Sequence, residues 1–150
     1  MTSVIGVDPG RDTGFAILST RFEDGSVFVR RAGLGMNFHA LSCLEPMHVF
    51  IECPRVYPTG TPNPNDLIKL AVMVGEYKAK FEALGPRWPV TLVAPSDWKA
   101  QLPKAITEAR MRARFPDVDQ WLTDIPKSKQ HNLFDALGIA CYGWNRANKA

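Results

Sequence analysis

Val4-Ile5-Gly6-Val7-Asp8-Pro9-Gly10, followed by Thr13-Gly14-Phe15-Ala16-Ile17-Leu18, is a short apolar run that ends in a carboxylate, turns on Pro and Gly, and resumes as a second apolar run. Apolar runs of this length bounded by turn residues read as buried strands. A carboxylate at the tip of a buried strand is costly unless something pairs with it. A divalent cation is the usual partner, so the pattern points to metal-dependent phosphoryl transfer, with further ligands expected along the chain.

Working outward, Ser3–Val7 and Gly14–Leu18 are the first two predicted strands. Asp24-Gly25 is a hairpin signal, and Ser26–Arg30 alternates as a third strand, giving three antiparallel strands in succession. Residues 33–46 fit neither period. His48–Glu52 is a buried-strand pattern that again ends in a carboxylate. The stretch from Cys53 to Pro64, with Pro54, Pro58, Gly60 and Pro62, is an irregular loop. From Asn65 the period changes: Leu67, Leu70, Ala71, Val74, Tyr77, Phe81 and Leu84 predict a helix of about 18 residues, stopped by Gly85-Pro86. Val90–Val93 is a further strand, and Pro95-Ser96-Asp97 opens a short helical segment. Lys104–Phe115 reads as a basic amphipathic helix ended by Pro116, and Ser128 to Trp144 as the last helix. The expected class is α/β, a mixed five-stranded sheet flanked by helices.

The bulk properties fit one domain. The chain has 150 residues, 45% apolar and 22% charged, which is ordinary for a globular domain. No stretch approaches the ~20 apolar residues of a membrane span, and no signal peptide is read at the N-terminus. Cys43, Cys53 and Cys141 form no CxxC pair, so a reduced cytoplasmic protein is expected. The net charge of +3 lies entirely in residues 97–150, the remainder being balanced. This suits a basic face for a polyanion.

Three carboxylates stand out. Asp8 and Glu52 each end a predicted strand; if the two strands are parallel neighbours, both side chains reach the same sheet edge. Asp135 is the only charge between Leu133 and Cys141, and His131 lies one helical turn before it, at i−4. Clustered carboxylates raise one another's pKa, and a pair of Mg²⁺ ions removes that penalty while bridging a scissile phosphate. Mn²⁺ is expected to substitute, more so with an imidazole ligand.

These motifs resemble the RuvC-type Holliday-junction resolvases of the RNase H-like superfamily, in four patches that span most of the chain. They are Gly6-Val7-Asp8-Pro9-Gly10 with Thr13-Gly14, the strand ending in Glu52, Val93-Ala94-Pro95-Ser96-Asp97-Trp98-Lys99 with Lys104 after it, and Asp135-Ala136-Leu137-Gly138-Ile139-Ala140. The resemblance implies an RNase H-like fold, a homodimer, two divalent metals, and paired symmetric nicks across a four-way DNA junction. It implies Asp8, Glu52 and Asp135 as metal ligands. The family's fourth ligand, Asp or His, falls at Asn132, and the histidine of this chain stands one residue earlier. His131 is favoured as the better ligand, with Asn132 as the fallback. The short turn after Asp8 and the Pro-rich loop after Glu52 are similar to the short resolvases of phages, which would act in the host cytoplasm.

Lys99 and Lys104 are the leading candidates for contacts near the scissile phosphate, Lys99 with a catalytic role. Arg110, Arg112 and Arg114 extend a DNA groove along the following helix, and Lys127 and Lys129 precede His131. All would contribute salt-sensitive affinity. Arg55 and Tyr57 follow Glu52, where family members place an aromatic at the junction centre. The competing readings are an RNase H-type or flap nuclease, which shares the metal site, a sugar-kinase/actin-like ATP-binding domain, for which one lobe is too few, and a non-catalytic DNA-binding module.

Overall fold

A computed structural model describes residues 3–56, 63–99 and 102–149. Five strands form one mixed sheet: β1 (Val4–Asp8), β2 (Gly14–Thr20), β3 (Val27–Leu34), β4 (His48–Glu52) and β5 (Val90–Val93), in the spatial order β3-β2-β1-β4-β5. The first three are antiparallel, as the two tight connections require, while β4 joins β1 and β5 joins β4 in parallel. Parallel neighbours need a crossover. That between β4 and β5 is made by α2 (Pro64–Ala83), which Asn63 caps through a hydrogen bond from the Asn65 N–H.

The strand positions follow the sequence expectation closely, with β4 and β5 at the predicted residues. Two regions differ. The third strand runs to Leu34, four residues beyond Arg30, because it pairs with β2 along its whole length and absorbs a register shift at Ile17/Leu18. The unassigned stretch after it holds Gly35 at φ 81° and a one-turn helix, α1 (Phe38–Ser42), capped by Asn37. Neither signal has a period long enough to detect. After β5 come α3 (Pro95–Trp98), α4 (Lys104–Arg114), 3₁₀ turns at Pro116–Trp121 and Lys127–Lys129, and α5 (Gln130–Ala147).

Helices cover both sheet faces. Ile5, Val7, Ile17, Val49 and Ile51 face one way, packing with Val74, Phe81 and Trp88 under α2. Val4, Ala16, Leu18 and Phe50 face the other, against Leu133, Ala136, Leu137 and Ala140 of α5. The alternation of β1 thus puts Val4, Gly6 and Asp8 on the α5 side.

The packing of α5 depends on missing side chains. A Cβ on Gly6 would stand 2.8 Å from Ala140 Cα and closer still to the Ala136 carbonyl oxygen, and one on Gly14 would stand 2.6 Å from the carbonyl carbon of Asn132. Helix backbone rests directly on strand backbone at both points. The sheet returns the contact through Phe50, whose ring occupies the notch at Gly143. Overpacking of this kind costs about 1–3 kcal/mol or more when backbone must move. Gly6→Ala and Gly14→Ala are therefore each expected to lower Tm by roughly 5–10 °C in thermal unfolding. Gly10→Ala, where nothing stands within 4 Å of the added carbon, is expected to leave it unchanged.

Candidate active site

The parallel pairing of β1 with β4 runs in register through Val7 and Ile51. Asp8 and Glu52 are the next residue of each strand, so the two carboxylates leave the sheet side by side at one edge. Asp135 joins them from α5. It is 8% exposed among otherwise apolar neighbours, and it immediately precedes Ala136, whose carbonyl faces Gly6. The close seat of α5 on Gly6 and Gly14 therefore fixes how far Asp135 stands from the strand ends.

The three carboxylates feel one another. Asp8 keeps part of its surface open, yet protein atoms largely surround its carboxyl. Burial, then the charges of Glu52 and Asp135, push it from 3.8 up to about 8, against the opposing pull of Lys99 and Lys104. Burial also raises Glu52, aided by Asp135 and opposed by a hydrogen bond from Trp98 and by Lys99. Asp8 makes no side-chain hydrogen bond among the described residues, so no such bond offsets the burial that favours its protonated form. Desolvation without a partner has this effect on any carboxylate.

Two basic side chains reach the cluster. Lys99, just after α3, lies 3.5 Å from Asp135 through Nζ and 5.4 Å from the Trp98 ring centroid. Lys104 opens α4 and bears on Asp8. The Trp98 indole N–H donates to Glu52 Oε2 at 2.6 Å. On the far side of Asp8, the Thr13 hydroxyl donates to the Gly10 carbonyl at 3.0 Å and shares a 2.8 Å hydrogen bond with the Tyr77 hydroxyl of α2. This braces the Pro9-Gly10 turn.

The remaining predicted residues are more spread out. His131 sits half-buried in the first turn of α5. Arg110 and Arg114 line a cleft between α4 and α5 together with Lys99 and Trp98. Arg112 does not extend that cleft: it pairs with Glu108 and Asp119 and lies over the Phe134 ring. Lys129 binds Asp12 at 3.1 Å, tying the start of α5 to the β1–β2 turn, and Lys127 is exposed beside it. Arg55 is exposed beyond β4, and Tyr57 lies outside the described residues.

A hard divalent cation suits this donor set of carboxylate oxygens, which two lysines and one indole N–H only partly offset. Among the described residues, no three His, Cys, Asp or Glu side chains converge tightly enough to enclose an ion. Trp98 and Tyr77 are the residues that motif reasoning passed over. Trp98 stood within a quoted motif, but only its contact with Glu52 gives it a task.

No protein-family model matches the chain, and no curated protein matches its sequence. Solved structures do match its fold. The fowlpox virus resolvase in complex with its substrate Holliday junction DNA is 14% identical at a TM-score of 0.58, over 99% of this chain and 100% of that one. The yeast mitochondrial Holliday junction resolvase Ydc2 is 15% identical at a TM-score of 0.63, over 97% and 78%. A second fowlpox virus Holliday junction resolvase structure is 10% identical at 0.54, over 97% and 99%. The mixed sheet and its covering helices are those of the RNase H-like fold that these resolvases share.

Proposed function

We propose that this protein is a metal-dependent endonuclease of branched DNA that resolves four-way junctions by paired symmetric incisions. One observation carries the reading: Asp8 and Glu52 end adjacent parallel strands, and Asp135 lies near enough for its charge to bear on both, with Lys99 and Lys104 beside them, in a fold shared with solved Holliday junction resolvases. Asp8, Glu52 and Asp135 would hold two Mg²⁺ ions, or Mn²⁺ in their place. His131, one turn before Asp135, is the proposed fourth ligand and Asn132 the fallback. The ions, when bound, supply an activated water and a counter-charge for the leaving oxygen.

The chain's own side chains do the rest. Lys99 and Lys104 offset the charge that builds on the phosphate in the transition state. Arg110 and Arg114 guide the backbone along the α4–α5 cleft, with Lys127 and Lys129 at the start of α5 and Arg55 beyond β4 adding further phosphate contacts. Cys43, Cys53 and Cys141 are free, which suits a reducing cytoplasm. No helix among the described residues is long and apolar enough to cross a membrane.

Symmetric incision calls for two sites related by a two-fold axis, and α2 offers a face for the dimer. Ile68 and Val72 are 62% and 57% exposed, with Ala71 and Gly75 exposed on the same side of the helix.

Four-way junctions, flaps, RNA–DNA hybrids and linear duplex, each offered with Mg²⁺, separate the readings. Symmetric nicks in the junction are expected, and no cleavage of any branched substrate overturns the proposal. Asp8→Asn is expected to abolish cutting while junction binding in a gel-shift assay stays within about two-fold, because the basic contacts remain.

Linkage adds a pH test. Folded Asp8 keeps its proton up to about pH 8, whereas its unfolded counterpart releases it near 3.8. Folding therefore takes up a proton across this window, and the protein in EDTA loses stability as pH rises from about 4 to about 8. Glu52, also raised, acts in the same direction. In EDTA the Tm of Asp8→Asn is expected to exceed that of wild type by a margin that grows with pH, and millimolar Mg²⁺ is expected to close the gap. Val72→Asp is expected to yield a monomer by sedimentation and to leave junctions cut on one strand only.

A further inference from the structure

Glu52 and Asp135 come from different elements, yet two consecutive residues touch both. Trp98 donates its indole N–H to Glu52 Oε2 at 2.6 Å, and Lys99 lies 3.5 Å from Asp135 Oδ2. Both residues belong to the turn of α3, which is closed by a hydrogen bond from the Ala94 N–H to Asp97 Oδ2 at 3.0 Å and by the Lys99 N–H to the Pro95 carbonyl at 3.0 Å. The indole is wedged against α5. A Cβ on Gly138, three residues after Asp135, would stand 2.7 Å from Trp98 Cε3. The ring thus rests on the helix at Gly138, and in that position its only polar atom meets the carboxylate.

We infer that Trp98 is a positioning residue for Glu52, an inference that rests on the metal-dependent nuclease reading above. The indole N–H claims Oε2, so Glu52 presents Oε1 to a cation in one rotamer and at one distance from Asp8 and Asp135. A carboxylate with both oxygens free would sample several orientations and carry a larger entropic cost on binding a cation. Partners of this kind, which bind a ligand rather than the ion, alter metal affinity by about 10–100-fold when removed. The seat at Gly138 makes the position of Glu52 depend on α5, the same helix that delivers Asp135. One indole therefore ties the spacing of two ligands to a single packing contact.

Trp98→Phe removes the N–H and keeps an aromatic ring in the Gly138 notch. The Mg²⁺ concentration giving half-maximal thermal stabilisation is expected to rise about 10-fold or more, with a parallel rise in that needed for junction nicking. Tm in EDTA and junction binding without divalent cation are expected to stay near wild type. Replacing Trp98 by benzothienylalanine, which keeps the bicyclic ring and lacks the N–H, is expected to give the same shift and serves if the phenylalanine variant folds poorly. An unchanged Mg²⁺ midpoint in the benzothienylalanine protein overturns the inference, and so does a loss of Tm in EDTA without a change in midpoint. A wild-type protein that shows neither Mg²⁺-dependent stabilisation nor junction nicking instead overturns the nuclease reading on which the inference rests.

Discussion

The contact on which the structure turns is backbone against backbone: α5 lying on β1 and β2 at Gly6 and Gly14. A side chain at either position would lift the helix by the thickness of a methyl group or more. The helix would still be apolar and would still find the sheet, but Asp135 would no longer stand at the ends of β1 and β4. Complementary notches on the helix receive Phe50 at Gly143 and Trp98 at Gly138, so the helix is keyed along its length as well as in its distance from the sheet. Apolar area alone would hold α5 on the sheet in many registers. The small residues select one.

That single seat has an electrostatic price. Three carboxylates are brought to a partly buried edge with two lysines nearby, and burial, then the charges of Glu52 and Asp135, raise the Asp8 pKa to about 8. Structural ion pairs elsewhere in the protein are arranged differently. Arg112 with Glu108 and Asp119, and Lys78 with Glu82, lie toward solvent, where opposite charges match and each is hydrated. A fold free to optimise its own stability would not leave Asp8 without a side-chain hydrogen bond among the described residues. Strain of this kind is expected where a protein is built to receive something charged.

Secondary structure was legible wherever a residue pattern has a physical period. The alternation around Asp8, the apolar run ending at Glu52 and the helical spacing of Leu67 to Leu84 each located an element, and β4 and β5 fell at the expected residues. Reading stopped where structure is shorter than its period or is set by partners. The one-turn α1 depends on a single cap by Asn37, and the length of β3 depends on its pairing with β2. In the same way Arg112, placed with the groove by its sequence neighbours, turned to Glu108 and Asp119, since helical position gives a direction and the charges it meets decide the contact.

The sequence by itself determined that Asp8 and Glu52 end strands, that Asp135 sits alone in an apolar helix, and that the excess positive charge lies in the last third of the chain. These are properties of local runs, and local runs carry their own hydrophobic and charge patterns. Only the tertiary structure decided that β1 and β4 are parallel neighbours, that Asp135 reaches their ends, and that Trp98 holds Glu52. Those facts join residues 44 to 127 positions apart, and no local pattern encodes such a meeting. It is decided by which surfaces can approach closely enough to exclude water, and here that was settled by the hydrogens of Gly6 and Gly14.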